Sequence, residues 1–264
     1  MRTFTDLFPG RKPIIGMVHL APLPGSPRWG GSLDRVVERA LADAAALAGG
    51  GVDGLLVENY GDVPFPPDRL PEETLAALVV AAREVVRAVR LPVGVNALRN
   101  DAAGALAAAV AAGASFIRVN VHTGVMVTDQ GFLVGRAHDT LRRRAALAAE
   151  VLIFADVFVK HATPLPGTSL EQAAADTAYR GLADALIVSG TATGAPTDLE
   201  RVRRVRAAVP DRPVLVGSGV TEARVQTVLA TADGAIVGSA FERGGVAGAG
   251  VEAERVQRLV ASVR

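Results

Sequence analysis

The apolar positions of this chain fall into two alternating patterns. Short runs of valine, isoleucine and leucine are followed by longer alanine-rich stretches with helical spacing. Continuous apolar runs are typical of strands buried on both faces, and their alternation with helices predicts βαβ units in a parallel sheet. The eight predicted strands are Ile14–Leu20, Gly54–Asn59, Val93–Leu98, Ser115–His122, Val151–Val159, Ala185–Ser189, Val214–Gly217 and Ala235–Gly238.

The helical stretches carry recognisable boundaries. Ser32, Asp101 and Thr221 each stand directly before a predicted helix, and side chains of these types cap helix N-termini. Glycines such as Gly113 follow several of the predicted C-termini. The predicted helices are Leu33–Ala48, Glu72–Val89, Ala102–Ala112, Leu170–Tyr179, Leu199–Ala208, Glu222–Ala230 and Ala253–Val263.

The lengths of the connections favour a closed barrel. Connections from helix to strand are short, as at 111–115, whereas several from strand to helix are long, as at 123–136. Barrel enzymes have long loops after their strands because the active site lies at the C-terminal face. An open doubly wound sheet would also alternate strands and helices. Eight units in 264 residues nevertheless predict one (β/α)8 TIM-barrel domain over residues 1–264.

Composition narrows the class of protein. The formal net charge is +1, so we expect no nucleic acid polymer as a partner. Cysteine is absent, which excludes disulfides, thiolate catalysis and Cys-ligated zinc. The N-terminus has no basic-then-apolar signal pattern, and no apolar run reaches the roughly 20 residues that span a bilayer. We therefore expect a cytoplasmic protein without direct membrane insertion.

Two glycine-bearing turns near the C-terminus indicate an anionic ligand. Residues 213–220 read Pro-Val-Leu-Val-Gly-Ser-Gly-Val, and residues 234–241 read Gly-Ala-Ile-Val-Gly-Ser-Ala-Phe. Each places a Gly-Ser turn after a buried strand, where backbone N–H groups favour anions and glycine permits close approach. Two such turns in the last two units of a barrel predict a phosphate site. Its predicted substrate-binding residues are Gly217, Ser218, Gly219, Gly238 and Ser239.

Polar residues stand at the ends of the predicted strands. Because side chains two residues apart share a face, Arg118, Asn120 and His122 are predicted to point into the barrel, as are Asp156 and Lys160. Converging ionisable groups at a pocket rim are candidates for catalysis. The alternative is a structural network in which Arg118 neutralises a carboxylate deep in the barrel. The predicted ring is His19, Glu58, Asn96, Asn120, His122, Asp156, Lys160 and Ser189.

Five residues of this ring are candidate catalytic groups. His122 or Asp156 would act as general acid or base. Lys160 would be a Schiff-base nucleophile, or an electrophilic contact to a carbonyl, carboxylate or second phosphate. Strand parity turns His161 away from Lys160, and the chain has neither a His-x-His after its first strand nor a His-Glu-x-x-His helix, so no metal or cofactor is predicted. The candidate catalytic residues are His19, Glu58, His122, Asp156 and Lys160.

Several stretches around these residues form one combined pattern. They are Ile15-Gly-Met-Val-His-Leu-Ala-Pro-Leu-Pro-Gly-Ser26, Asp53-Gly-Leu-Leu-Val-Glu-Asn-Tyr-Gly-Asp62, Leu98-Arg-Asn-Asp101, Phe116-Ile-Arg-Val-Asn-Val-His122, Asp156-Val-Phe-Val-Lys-His-Ala162, Ala185-Leu-Ile-Val-Ser-Gly190 and Val216-Gly-Ser-Gly-Val220. Over nearly the whole chain this pattern resembles the BtpA family of photosystem I biogenesis proteins, which includes SgcQ-like members. The resemblance implies a ribulose-phosphate-binding barrel. It implies no particular reaction, because the family name comes from a photosystem I requirement in cyanobacteria and members also occur where no photosystem exists.

Two functions from different classes remain open. The first is an enzyme for a phosphorylated small molecule, a sugar phosphate or nucleotide, whose phosphate binds the glycine turns and whose reacting carbon lies over the ring. Isomerase, lyase and glycosyl-transfer reactions all fit. The second is a BtpA-like non-catalytic factor for the biogenesis or stability of a membrane complex such as photosystem I. It would dock through the proline-rich loop 63–67 and the loop around Trp29. A homo-oligomer is compatible with both.

Overall fold

Eight parallel strands close into a barrel in the computed structural model of the protein, which describes residues 2–264. In chain order the strands are β1 (Ile14–His19), β2 (Gly54–Glu58), β3 (Val93–Asn96), β4 (Phe116–Val119), β5 (Val125–Thr128), β6 (Gly131–Val134), β7 (Leu152–Val157), β8 (Thr163–Pro164), β9 (Ala185–Val188), β10 (Val214–Val216) and β11 (Gly234–Val237). Around the barrel they follow the order β1-β2-β3-β4-β7-β9-β10-β11, and β11 closes it by pairing with β1. The predicted (β/α)8 fold is confirmed.

Helices pack around the outside of the barrel and bury its apolar outer face. They are α1 (Phe4–Leu7), α2 (Leu33–Gly49), α3 (Glu72–Ala88), α4 (Ala102–Ala112), α5 (Ala137–Ala146), α6 (Leu170–Ala175), α7 (Leu199–Ala208), α8 (Val225–Thr231) and α9 (Ala253–Ala261). Helix α6 continues into a π-helical turn at Asp176–Arg180. Within residues 2–264, none of the helices combines the length and the apolar character needed to cross a bilayer.

Two of the three predicted helix caps are present. Ser32 Oγ accepts a hydrogen bond from the backbone N–H of Arg35, and Asp101 Oδ1 accepts one from Gly104 at 2.8 Å. The cap predicted at Thr221 is wrong. The backbone carbonyl of Thr221 accepts the N–H groups of Arg224 and the residue after it, so a turn precedes the helix and α8 begins only at Val225.

The interior of the barrel contains an apolar layer towards its N-terminal end. Phe116 on β4 and Phe154 on β7 stack with ring centroids 4.6 Å apart. Helix α1 covers this layer, because Phe4 lies 5.7 Å from the Phe154 ring and Phe8 lies 6.5 Å from the Phe116 ring. Burial of such large rings supplies much of the driving force for closing the barrel. The N-terminal end is therefore plugged, and the interior opens only towards the C-terminal ends of the strands.

A small antiparallel sheet stands beside the mouth of the barrel. The segment predicted as a long loop at 123–136 contains the hairpin β5–β6, and β8 pairs with β5 through Met126 and Val127. Alternating residues explain the hairpin, since Met126 and Leu133 are buried while Phe132 is exposed. The hairpin turn brings Asp129 and Gln130 to the mouth. This loop is thus an ordered wall of the site.

Candidate functional site

A polar layer lies above the apolar layer, at the C-terminal ends of the strands. On most strands the residue two positions before the polar residue faces the apolar layer, as Leu56 does before Glu58 and Phe154 before Asp156. The alternation of side chains along the strands therefore brings these polar groups together. The buried members of the layer are His19, Glu58, Asn96, Arg118, Asn120, Asp156 and Ser189.

Asp156 is the acceptor of a buried hydrogen-bond network. Arg118 donates to it twice, from Nε to Oδ2 and from Nη2 to Oδ1, each at 2.8 Å. Asn120 Nδ2 donates to Oδ2 at 3.1 Å, and Ser189 Oγ donates to Oδ1 at 3.2 Å. Four donors leave this carboxylate little capacity to take a substrate proton. The geometry therefore favours the structural alternative, in which Arg118 neutralises Asp156.

His19 is held between two carboxylates. Its Nδ1 lies 2.5 Å from Glu242 Oε1, and its Nε2 lies 3.8 Å from Glu58 Oε1. Burial favours the neutral form of Glu242, but the contact with His19 and two glycine backbone N–H groups together lower the pKa of Glu242. Glu242 is thus an anion that orients the imidazole towards Glu58. Asn96 Nδ2 donates to Glu58 Oε2 at 2.5 Å, and the Tyr60 ring lies 4.5 Å from the imidazole.

Lys160 reaches the mouth from a turn and not from a strand. Strand β7 ends at Val157, Phe158 has a φ of +54°, and the turn that follows carries Lys160. Within residues 2–264 its Nζ has no hydrogen-bond partner and no carboxylate at ion-pair distance. Burial, and next the charge of Arg118, lowers the pKa of Lys160. The ammonium therefore lies in a site that favours loss of its proton or arrival of an anion.

The mouth contains a cavity of about 690 Å³, large enough for a small metabolite. Glu58, Asn120 and Lys160 line its polar floor, and Leu98 and Phe65 contribute apolar wall. Asn120 Oδ1 is buried without a hydrogen-bond partner among residues 2–264. Its Nδ2 is committed to Asp156, so the orphaned oxygen can accept a hydrogen bond from a bound molecule.

The two glycine turns line a second, smaller cavity, which adjoins the first at Lys160 and Thr193. Within residues 2–264, six backbone N–H groups of these turns donate no hydrogen bond; they belong to Ser218, Gly219, Val220, Gly238, Ser239 and Ala240. The cavity measures about 30 Å³, room for about two water molecules. Its lining also includes His19, Arg118 and Gly238. The predicted turns therefore lie on the same side of the molecule as Lys160.

A loop at 191–196 covers the small cavity. A Cβ added to Gly219, which has a φ of +65°, would collide with the backbone carbonyl of Ala195. His161 fastens the loop, because the N–H of Thr193 donates to His161 Nε2 at 3.1 Å and the N–H of His161 donates to the carbonyl of Thr191 at 3.0 Å. Nε2 accepts only when it carries no proton. Neutral His161 is therefore the form that holds the loop closed.

We expect acidification to loosen this loop. Burial, and next the charge of Lys160, lowers the pKa of His161. The folded protein therefore binds fewer protons at this site than the unfolded chain, so the contribution to stability is complete above the ordinary pKa of histidine and is lost as the pH falls through the lowered one. One lost hydrogen bond corresponds to about tenfold less protection of the Thr193 amide from hydrogen exchange. The measurement is the hydrogen-exchange protection factor of the Thr193 amide as a function of pH, corrected for the intrinsic exchange rate at each pH.

The matched control for this prediction is His161→Asn. Asparagine tolerates the positive φ of 57° at this position and does not titrate. Its protection factor for Thr193 is expected to be independent of pH between about 5 and 8. A wild-type protection factor that also stays constant over this range would show that His161 does not control the loop.

Two residues, His122 and His161, depart from their predicted placement, and a third, Ser218, lines the small cavity as predicted but has its hydroxyl engaged by neighbouring loops. His122 follows the end of β4 and turns out of the mouth; it lines neither cavity, and its Nε2 donates to the carbonyl of Gly181 at 2.8 Å. Burial lowers its pKa. His161 does not point away from Lys160, since both line the large cavity. The hydroxyl of Ser218 accepts the N–H of Gly190 and donates to the carbonyl of Ala195, so it ties loops together.

Sequence reasoning missed three residues of the site. Arg99 is buried beside Lys160, the Tyr60 ring packs against the His19 ring at an interplanar angle of 36°, and Glu242 lies 2.5 Å from Nδ1 of the same imidazole. Arg99 and Tyr60 belong to the quoted stretches, but they lie beyond strand ends, where parity no longer applies. Glu242 follows the second glycine turn by four residues, and its approach to His19 joins opposite ends of the chain. No local pattern could have indicated that contact.

The fold and the mouth together define a (β/α)8 barrel with a buried charged site at the C-terminal ends of its strands. The BtpA family matches residues 10–264, and the chain belongs to this family. The photosystem I biogenesis protein BtpA of a Synechocystis species is 47% identical over 96% of this chain and 88% of its own length. SgcQ of Escherichia coli K12 is 32% identical over 96% of this chain and 94% of its own length.

Solved structures share the fold at low sequence identity. Phosphoribosyl anthranilate isomerase from Thermus thermophilus superimposes with a TM-score of 0.57 at 15% identity, over 95% of this chain and 98% of that enzyme. Dihydropteroate synthase from Xanthomonas albilineans superimposes with a TM-score of 0.58 at 17% identity, over 96% and 90%. These likenesses support the assignment of the barrel fold.

Proposed function

We propose that the protein is an enzyme that acts on a phosphorylated small molecule, with the phosphate at the two glycine turns and the reacting part in the large cavity. The observation that carries this proposal is the junction of the two cavities at Lys160. In a ligand that fills both cavities, the part between the phosphate and the opposite end of the molecule would lie next to the unpaired ammonium of Lys160. The phosphoribosyl group in the name of the Thermus thermophilus isomerase is compatible with the proposal, which rests on the geometry of this chain.

The small cavity has the chemistry of a phosphate site. Its six free N–H groups come from two adjacent turns, and backbone N–H groups of such turns stabilise anions. His19 and Lys160 at its edge can add charge-assisted hydrogen bonds. Because the cavity has room for about two waters, a phosphate with its four oxygens requires the loop at 191–196 to move outwards. Phosphate binding and loop movement are therefore coupled.

The large cavity has the chemistry for proton transfer. Glu58 is the carboxylate on its floor that is not enclosed by a guanidinium, and His19 stands next to it. We assign Glu58 as general base or acid, with His19 as its proton partner and Lys160 as the electrophile that stabilises negative charge on the substrate. Asn120 Oδ1 would accept a substrate hydroxyl. Asp156 and His122, two of the predicted catalytic residues, take structural roles in this proposal.

The proposal is tested by thermal unfolding with a panel of sugar phosphates and nucleotides at millimolar concentration. A ligand at about 100 times its Kd adds about 2.7 kcal/mol, which raises the Tm of a chain of this size by roughly 5 to 10 °C. The same compounds without phosphate are expected to have no effect. Gly219→Ala is expected to abolish the shift, because the added methyl group collides with the covering loop beside two free N–H groups.

Gly10→Ala provides a matched control for this variant. Gly10 has the same φ of +65°, but a Cβ there meets no atom within 4 Å. Both variants thus carry the same left-handed strain, and only one of them places a methyl group against the loop that covers the candidate site. Equal ligand shifts in the two variants would place the phosphate elsewhere. A panel without any phosphate-dependent shift in the wild-type protein would remove the support for an enzyme of this class.

A non-catalytic assembly factor is the second candidate, and one surface feature favours it. The hairpin β5–β6 exposes Phe132, Val127 and Val134 beside the mouth. The loops first considered for docking are less available, since Val63 and Phe65 line the large cavity and Trp29 packs partly against the core. Clustered exposed apolar side chains are typical of protein contacts. The function as an assembly factor is preferred if no phosphorylated compound binds to the protein.

A further inference from the structure

We propose that the substrate carries a second anionic group, a carboxylate or second phosphate, which binds Arg99 and Lys160 in the large cavity. This inference rests on the proposed function and adds to it the charge pattern of the substrate. Its basis is a buried arginine and a half-buried lysine, both without a counterion within residues 2–264, at the floor of a cavity that also has an orphaned acceptor, Asn120 Oδ1. Arg99 is 5% exposed and lines this cavity.

Arg99 is held in place by its surroundings. Its backbone N–H donates to the carbonyl of Pro66 at 3.0 Å, and its Nη2 donates to the carbonyl of Lys160 at 2.6 Å. The buried Asn59 side chain accepts the N–H of Leu98 at 2.7 Å and so fixes the preceding residue. A guanidinium oriented by these contacts is pre-organised, so a ligand that binds it loses little conformational entropy.

The positive charge of Arg99 and Lys160 is not neutralised within residues 2–264. Neither side chain has a carboxylate at ion-pair distance. Burial lowers the pKa of Arg99, and the charges of Asp156 and Glu58 offset only part of that effect. A buried charge without a partner is costly, and the cost is removed when a ligand anion supplies the partner.

The carboxylates of the region are already engaged elsewhere. Asp156 accepts both hydrogen bonds of Arg118, and Glu58 faces His19 and Asn96. The excess of positive charge extends over the whole large cavity, whose charged lining comprises Arg28, Arg39, Arg99 and Lys160 against Glu58 and Asp129. An anion entering this cavity therefore meets an attractive field before it reaches Arg99.

The two-anion arrangement assigns distinct tasks to the two cavities. The phosphate would be held by neutral N–H groups at one side of Lys160, and the second anion by the guanidinium of Arg99 at the other. Arg99 can form two parallel hydrogen bonds to a carboxylate or phosphate, which fixes orientation as well as distance. The atoms between the two anions would then lie over Glu58. The substrate class is thus a phosphorylated acid or a bisphosphate.

The test compares three pairs of phosphorylated ligands with different carbon-chain lengths. Within each pair, only one member carries a second anionic group. The pairs are glycerol 3-phosphate with 3-phosphoglycerate, ribulose 5-phosphate with ribulose 1,5-bisphosphate, and glucitol 6-phosphate with 6-phosphogluconate. Dissociation constants are measured by calorimetry. For at least one pair we expect the member with the second anionic group to bind the wild-type protein about tenfold more tightly, as a charge-assisted bidentate contact predicts. Arg99→Met should reduce that preference to about twofold or less, while the affinity for the monophosphate stays unchanged.

Arg83→Met is the matched control. Arg83 also donates to a backbone carbonyl, that of Ala112 at 3.0 Å, but it lies on α3 and lines neither cavity. It should retain the wild-type preference, and Arg99→Lys should retain part of it because the charge remains. Monophosphate binding without any preference for a second anion would overturn this inference and leave the proposed function intact. Absence of binding by every phosphorylated member would overturn both.

Discussion

Replacement of Asp156 by alanine is expected to lower the free energy of unfolding by about 3 to 5 kcal/mol, because Arg118 is left buried without its partner. The pair is almost fully enclosed, and burial would suppress the charge of Arg118 if Asp156 did not raise its pKa. Asn120 and Ser189 would lose an acceptor at the same time. Urea unfolding followed by circular dichroism measures the change.

Two further variants separate this prediction from a general effect of losing a carboxylate. Asp211 lies on the surface and pairs with Arg212, so Asp211→Ala should leave the unfolding midpoint nearly unchanged. The double variant Arg118→Met/Asp156→Leu removes both charges and should recover a large part of the lost stability. If Asp156→Ala were as stable as the wild type, the carboxylate would be free for catalysis, and its assignment as a structural residue would be wrong.

Glu58→Gln is expected to reduce turnover by about 10² to 10⁴, the usual range for loss of a general acid or base. Glutamine preserves the shape of the side chain and can still contact Asn96, but it cannot take a proton. The ligand that raises the Tm most in the wild type is incubated with enzyme in D₂O and followed by proton NMR. Loss of ligand signal reports either conversion or exchange of a C–H proton for deuterium. The Tm shift of the variant should persist, since the phosphate contacts are intact.

The control for this experiment is Glu84→Gln. Glu84 is half-exposed on α3 and, among residues 2–264, pairs only with Arg87, so the same chemical change there should leave turnover unaffected. A wild-type protein that binds a phosphorylated ligand but never converts or exchanges it would argue for a binding protein. Unaltered turnover in Glu58→Gln would transfer the proton chemistry to another group and would remove Glu58 from the mechanism.

The two predictions divide the polar layer into a supporting half and a reactive half. Arg118, Asp156 and Ser189 bond mainly to one another, so they maintain the upper part of the barrel and the positive field near Lys160. Glu58 and His19 contact each other and face the cavities, and no guanidinium is bonded to the Glu58 carboxylate within residues 2–264. This division explains why residues with the same predicted orientation differ in their expected effects. A side chain inside a barrel can bind a ligand only when its neighbours have not already satisfied it.

Several features of the site followed from local sequence patterns. Strand alternation correctly placed Glu58 above Leu56 and Asp156 above Phe154 inside the barrel, because pleating turns every second side chain to the same face. The positions of the glycine turns followed from the order of the eight units, since parallel strands end at one face of a barrel. The eight strands were recognisable because each is a short run of large apolar residues that the barrel buries.

The same reasoning failed where regular structure ends. The prediction extended the alternation of side chains from β4 to His122 and from β7 to Lys160 and His161. The two strands, however, end at Val119 and Val157. Beyond these points each residue follows the dihedral angles of its own turn, such as the positive φ values of Phe158 and His161. Lys160 nevertheless reaches the mouth, whereas His122 turns out of it.

By itself the sequence determined the barrel, the face on which the site lies and the polar residues that its strands carry there, because these depend on the period of two along a strand and on the order of the units. Only the tertiary structure decided which of those residues are engaged with each other and which face a cavity. The contacts of Glu242 with His19 and of Arg99 with Lys160 join distant parts of the chain. Such contacts depend on how separate loops pack against one another, and no local pattern of residues contains that information.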